Sequence, residues 1–234
     1  MRGVFVTGTG TEVGKTVVAA AIARAAAREG ERVTVFKPAV SGLDEGGEPD
    51  HVLLRRAAGS AQSDDDVAPY RYGPAVSPHL AAELAAEEID PERMLAGARA
   101  AAEGADVLVC EGVGGFCVPL TRSWLVRDFA RELGHPVAIA AAPGLGTINH
   151  TLLTLEAVRA AGLEVSAVVL TPWAQKPAPL EEDNRATIAE LGGVPVQVLP
   201  RIDLADPDSW PQLPILRSAG VVAPSERRHM LRAS

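Results

Sequence analysis

Of 234 residues only Lys15, Lys37 and Lys176 are lysines, and the first two follow apolar runs at points where a strand could hand over to a loop. Lys15 belongs to Gly8-Thr9-Gly10-Thr11-Glu12-Val13-Gly14-Lys15-Thr16, placed between the apolar Val4–Thr7 and an alanine-rich stretch. Glycines let backbone N–H groups turn toward an anion, a helix start adds partial positive charge, and a lysine there reaches the β and γ phosphates. Thr16 offers its hydroxyl to Mg²⁺. Gly8 and Gly14 are separated by five residues where the usual phosphate loop has four, and the G-x-G-x-x-G order of a dinucleotide fold is absent. The segment reads as a nucleoside triphosphate site.

Lys37 opens Lys37-Pro38-Ala39-Val40-Ser41-Gly42 after the apolar Val33–Phe36. In open parallel sheets ligands sit beyond the carboxyl ends of the strands, so Lys37 is aimed at the same edge as the phosphate loop and suits a clamp on a phosphoryl group or a substrate anion. Glu111 closes a third apolar run before Gly112-Val113-Gly114-Gly115, and Asp50 opens a helix after an acidic, glycine-rich loop. Two carboxylates with Thr16 form a Mg²⁺ set that leaves the ion partly hydrated, as it prefers. Asp64-Asp65-Asp66 reads as a solvated turn. Gly146-Thr147-Ile148-Asn149 reads as a further helix N-terminus, suited to a carboxylate. His150 follows it and is expected to make a local hydrogen bond.

The elements that must hold these residues are legible from hydrophobic patterning. Val4–Thr7, Val33–Lys37, Val107–Glu111, Val137–Ala142, Val165–Thr171 and Val196–Pro200 are nearly continuous in apolar residues, as strands buried on both faces require. Helices are expected over 15–29, 50–58, 79–88, 91–103, 125–133, 148–161 and 180–191, with Gly30 and Gly162 as C-terminal caps and Asp90-Pro91 as an N-terminal one. Strand and helix in alternation imply a single α/β domain over 1–234, with a doubly wound, mainly parallel sheet and helices on both faces. The stretch from about 203 is rich in proline and polar residues, and its end, 227–234, is basic and expected to fray.

The chain is 47% hydrophobic and 22% charged with a formal net charge of −8, which disfavours a nucleic-acid or anionic-membrane binder. Cys110 and Cys117 match neither a disulfide framework nor a zinc knuckle. No run of apolar residues is long enough to span a bilayer and no cleavable leader is visible, so a cytoplasmic enzyme is expected.

Gly8–Thr16, Lys37-Pro38-x-x-Ser41-Gly42, Asp50, Ser77-Pro78-His79, Glu111-Gly112-x-Gly114-Gly115 and Leu145-Gly146-x-Ile148-Asn149-His150 together resemble the dethiobiotin synthetases, whose own phosphate loop has the longer spacing. The resemblance implies a P-loop ligase of biotin biosynthesis: 7,8-diaminononanoate takes up CO₂ as a carbamate, ATP phosphorylates it, and the second amine closes a cyclic urea. It implies catalytic roles for Lys37, Lys15 and Thr11, and Mg²⁺ on Thr16, Asp50 and Glu111. ATP would meet Glu12, Val13, Gly14, Lys15, Thr16, Val17, Asp50, Glu111, Gly112, Val113, Gly114, Thr171, Pro200, Arg201 and Ile202. The substrate would meet Thr11 and Ser41 and, in a homodimer, Gly146, Thr147, Ile148 and Asn149 of the other subunit. Thr171 departs from the family's asparagine at the adenine edge, offering one hydroxyl in place of a paired donor and acceptor. The rival readings are a partitioning-type switch ATPase, which usually carries an extra lysine where Thr9 and Gly10 stand, and another small-molecule P-loop kinase or ligase. A synthetase with a glutaminase domain would need more chain, and no Asn-Lys-x-Asp guanine reader is present.

Overall fold

Six strands form where the apolar runs lie: β1 (Arg2–Gly8), β2 (Val33–Phe36), β3 (Val107–Glu111), β4 (Val137–Ala141), β5 (Val165–Trp173) and β6 (Val196–Pro200). The computed structural model describes residues 2–213 and 215, and the basic end at 227–234 lies outside them. The strands make one parallel sheet in the order β2-β3-β1-β4-β5-β6. β1 is central, with Val6 in register with Glu111 of β3 on one side and Thr7 with Ile139 of β4 on the other. The loops after β1 and β3 therefore leave the sheet side by side.

Alternation along β1 sorts the core into two layers. Val4 and Val6 face α1 (Lys15–Arg28) and α2 (Asp50–Ala58), in a core with Ile22, Leu54 and Val109. Phe5 faces the opposite layer, where α5 (Pro91–Ala102), α6 (Val126–Leu133), α7 (Thr147–Ala160) and α8 (Pro179–Gly192) supply Met94, Phe129, Leu155 and Ile188. The short α3 (Asp64–Val67) and α4 (Pro78–Leu84) lie in the chain between α2 and α5. Ala19, Ala20, Ala21, Ala23 and Ala26 of α1 are buried, and side chains this small let the helix lie close to the sheet.

The expected ends hold at Gly30 and Gly162, both left-handed glycines whose N–H groups return to Ala27 and Arg159 carbonyls, and at Asp90, which accepts from Glu92 N–H. The helix expected over 79–88 stops at Leu84, because Ala86 takes a positive φ of 52°. Asp64-Asp65-Asp66 is the solvated turn expected, with Asp65 and Asp66 exposed, and it takes helical form in α3: Ser63 and Asp66 cap each other, while Asp64 pairs with Arg55 and Asp65 with Arg71. The proline-rich, polar segment after β6 packs back onto the domain. A short 3₁₀ turn, Pro207–Ser209, leads to Trp210 and Leu213, which are buried in the α1 layer. Among the described residues no helix is long and apolar enough to cross a membrane.

Candidate active site

The phosphate loop closes around two glycines. Gly14, at φ 85°, immediately precedes α1, and a methyl group there would come to 2.5 Å from Thr171 Cγ2. Gly8 ends β1 where a Cβ would meet Val13 Cγ2 at 2.7 Å and Lys15 Cγ at 2.8 Å, so the extra residue of the loop is taken up between two positions that only glycine fits. Lys15 bends back over this turn and donates from Nζ to Gly10 O at 2.8 Å.

Lys37 lies one residue beyond β2, held by its N–H to Val67 O at 2.8 Å. Its ammonium donates to Glu111 Oε1 at 2.6 Å and lies 2.8 Å from Asp50 Oδ2. Thr16 Oγ1 donates to the same Glu111 oxygen at 2.9 Å, with Asp50 the alternative acceptor for its single proton. The second residue of α1, the residue after β2, the last residue of β3 and the first residue of α2 thus converge on one point.

Burial sets the charges. Lys37 and Glu111 are 3% and 0% exposed. Burial works against the Lys37 ammonium, but Glu111 and Asp50 outweigh it and push its pKa up to about 12. Burial raises the Glu111 carboxyl above its ordinary range, with Lys37 pulling the other way. Lys15 is lowered by burial and the Lys37 charge, partly countered by Glu111 and Asp50. Asp50 overcomes burial and stays below its usual value through Lys37 and the Thr16 hydroxyl.

The donors here suit Mg²⁺. Thr16, Asp50 and Glu111 offer only oxygen, and Glu111 Oε2 is buried with no hydrogen-bond partner among the described residues. Two carboxylates and one hydroxyl are what Mg²⁺ takes from protein when phosphates and water complete its shell. Among the described residues no group of three or more His, Cys, Asp or Glu side chains could hold a metal ion, and this site offers two carboxylates and a hydroxyl.

These residues line a cleft of about 770 Å³. Of those expected from the sequence, Thr11, Glu12, Gly14, Lys15, Thr16, Val17, Lys37, Ser41, Asp50, Glu111, Val113 and Gly114 line it. Val13 does not, because it packs toward Gly8 and the α1 layer, and Gly112 does not, because it lies under Val126 and Phe5. Thr171 is buried with its methyl against Gly14 and gives the cleft no edge; Pro200, Arg201 and Ile202 are also outside its lining. Gly146, Thr147, Ile148 and Asn149 start α7 outside the cleft of their own chain, and His150 beside them is exposed. Cys110 is buried in β3 with its thiol raised well above the usual value by burial, and Cys117 is exposed. The lining not named as site residues from the sequence comes from Val40 and Gly42, from Leu43, the stretch 45–49 and Leu53, from Ala75–Pro78, whose Ser77-Pro78 belongs to the quoted motif set, and from Val118 and Leu204. For residues 40–49 the position between Lys37 and Asp50 was a signal; nothing local to Leu204 signalled its place.

A protein-family model described as an AAA domain matches residues 2–208. An ATP-dependent dethiobiotin synthetase from Anaeromyxobacter dehalogenans (strain 2CP-1) is 42% identical over 191 residues, covering 82% of this chain and 86% of its own. The chain belongs to the dethiobiotin synthetase family. A second relative of that name, from Bacillus thuringiensis (strain Al Hakam), is 37% identical over 197 residues, with 84% and 81% of the two chains covered. Among solved structures, a ParA family ATPase from Chlorobium tepidum TLS superposes with a TM-score of 0.55 at 14% identity, over 93% of this chain and 90% of that one. The septum site-determining protein MinD from Pyrococcus horikoshii OT3 gives 0.52 at 16%, over 85% and 81%. At such low identity these two define the P-loop fold alone, and the synthetases separate this chain from the switch ATPases.

Proposed function

We propose that this chain is an ATP-dependent ligase of biotin biosynthesis that closes 7,8-diaminononanoate and CO₂ into dethiobiotin. The observation that carries the reading is the Lys37–Glu111–Asp50 cluster beside the phosphate loop, in a chain of the dethiobiotin synthetase family. One amine of the substrate takes up CO₂ as a carbamate. A carbamate oxygen attacks the γ-phosphorus of ATP, the bond to the β-phosphate oxygen breaks, and ADP leaves. The neighbouring amine then attacks the carbamoyl carbon, releasing phosphate and closing the cyclic urea.

No protein nucleophile is required, so the protein's task is positioning and charge neutralisation. Lys15 and the backbone of Glu12–Val17 hold the β and γ phosphates. Lys37, fixed by two carboxylates, faces the carbamate and the transferring phosphoryl group. Thr11 and Ser41 line the substrate side of the same cleft. Thr16, Asp50 and Glu111 would hold Mg²⁺, which when bound neutralises phosphate charge. The substrate's distant carboxylate goes to the α7 N-terminus, Gly146–Asn149, of a second copy; Leu145 beside it is 90% exposed, an apolar side chain suited to such a contact.

An isotope experiment tests the order of steps. With ¹⁸O-labelled CO₂ in unlabelled water and a short reaction time, the released phosphate should carry one ¹⁸O from the carbamate. Unlabelled phosphate alongside labelled dethiobiotin would exclude a phosphorylated carbamate.

A further inference from the structure

Ser77 stands at the N-cap of α4 and lines the cleft, yet its side chain does not cap the helix. A serine there ordinarily accepts from the N–H of the second or third helical residue, which stabilises the helix by about 1 kcal/mol. Ser77 Oγ lies instead 3.0 Å from His79 Nδ1. With the imidazole proton on Nε2, Nδ1 is an acceptor, so the hydroxyl donates to it and keeps its lone pairs for a group in the cleft. The wall is fixed by a short ribbon. Val40 N–H donates to Tyr70 O at 2.9 Å, Tyr72 N–H to Val40 O at 2.8 Å and Gly42 N–H to Pro74 O at 3.0 Å, which brings together the segments that carry Ser41 and Ser77.

Ring closure releases a proton. The amine that attacks the carbamoyl carbon is positively charged once its N–C bond forms, and it becomes a urea nitrogen only when one N–H bond breaks. At the phosphate end of the cleft Lys37 holds its protons, and Asp50 and Glu111 face it and the Mg²⁺ position. A proton acceptor works best when its charge changes near the working pH, and histidine is the side chain that does so. Among the described residues Ser77 is the one cleft-lining side chain bonded to a histidine. The charged groups beside His79 are Glu83, one turn on in α4, and Arg122 of the loop after β3, which donates to Glu83 at 2.6 and 2.7 Å. Arg122 holds the Glu83 carboxyl below its usual range, with a smaller contribution from His79, so an imidazolium at 79 has an anion four residues on.

We propose that Ser77 touches the ring-closing amine and takes its proton while passing its own to Nδ1 of His79, which acts through the hydroxyl. In this step the amine N–H and the Ser77 O–H break, a new Ser77 O–H and a His79 Nδ1–H form, and phosphate leaves with the electrons of its bond to the carbamoyl carbon. This rests on the diamine reading of the cleft and names the proton acceptor that reading lacks. The test measures turnover of Ser77→Ala, His79→Asn and the double variant from pH 5.5 to 8.5. Asparagine can still accept from the hydroxyl but cannot take up the proton. At pH 8 each single variant should lose about a hundredfold in kcat, the low end for general-base catalysis, and the double variant no more than either. Imidazole takes up its proton below neutral pH, so toward pH 5.5 the ratio of the unaltered protein's kcat to that of His79→Asn should shrink by about tenfold. ATP binding, measured by calorimetry, should be equal in all four proteins. Retained kcat in either single variant, a ratio constant with pH, additive losses in the double variant, or weakened ATP binding would each overturn the proposal. Failure of the unaltered protein to form dethiobiotin from diaminononanoate, CO₂ and ATP would instead sink the reading of the reaction beneath it.

Discussion

The Nζ of Lys37 stands 2.6 Å from Oε1 of Glu111, and both side chains are almost wholly withdrawn from solvent. A buried ion pair is costly to assemble, because desolvation of each charge offsets much of their attraction. This one is held at the edge of a phosphate loop, with Asp50 and Thr16 completing the ring. Such a group is poised to exchange one anionic partner for another: the ammonium can turn from carboxylate to phosphate or carbamate without having to be charged first.

Lys37→Met should lower turnover by about a hundredfold or more, the scale of losing one charge-stabilising donor in a closed site. Breaking a buried pair from one side typically costs about 3–5 kcal/mol, but Glu111 is already raised by burial and can relieve part of that by taking up a proton. The variant should thus fold with a lowered Tm. Circular dichroism and steady-state kinetics check both halves; near-normal turnover in the folded variant would remove Lys37 from the chemistry.

Glu111→Gln separates charge from shape. Lys37 keeps Asp50 as a partner, so Tm should move by no more than about 4 °C, the shift that roughly 1 kcal/mol produces in a domain of this size. Mg²⁺-dependent turnover should nevertheless fall by about a hundredfold. Retained activity at the same Mg²⁺ concentration would show that Glu111 is structural.

Gly14→Ala meets two obstacles, a left-handed φ of 85° and the Thr171 methyl at 2.5 Å from the added carbon. The backbone alone costs about 1–2 kcal/mol. ATP binding should be lost, and Gly14→Ala with Thr171→Ser should regain part of it, since serine lacks that methyl. Calorimetric titration of both variants with ATP decides; no recovery in the double variant would mean that the φ angle alone forbids the substitution.

Thr171 bears on base choice as well. With its methyl on Gly14 and no place in the cleft lining, it offers the base no paired donor and acceptor. CTP or GTP should therefore support measurable turnover. Strict dependence on ATP across a nucleotide panel would place base selection elsewhere.

His135 supplies a pH dependence remote from the site. Its ring lies over Gly3, and burial holds its pKa below the ordinary imidazole value. As pH falls through the unfolded value of about 6.5, the unfolded chain takes up a proton before the folded one does, so stability declines. Tm should drop more between pH 7 and 5.5 in the unaltered protein than in His135→Phe; equal drops would show that this histidine contributes nothing to the slope.

What could be read from the sequence follows a physical division. Runs such as Val107–Glu111 are legible because strands buried on both faces carry no polar interruptions, and the phosphate loop is legible because its chemistry is local. Lys37, Asp50 and Glu111 could be assigned to one edge because strand ends share it. Leu204 and Trp210 could not. Their places depend on Arg24 and Arg28, some 180 residues earlier, within a proline-rich, polar stretch whose composition suggests a tail. The inward turn of Val13, away from the phosphates, and the burial of Thr171 against Gly14 are likewise contacts between segments distant in sequence or packed within a tight loop.

The central claim is that ATP is consumed only to activate a carbamate. Phosphate release from ATP and Mg²⁺ should be measured with and without 7,8-diaminononanoate plus bicarbonate, and the products weighed by mass spectrometry. Release that needs both additions, together with a product of dethiobiotin mass, is the predicted result. Hydrolysis that proceeds at the same rate without them would contradict it and return the chain to the switch ATPases whose fold it shares.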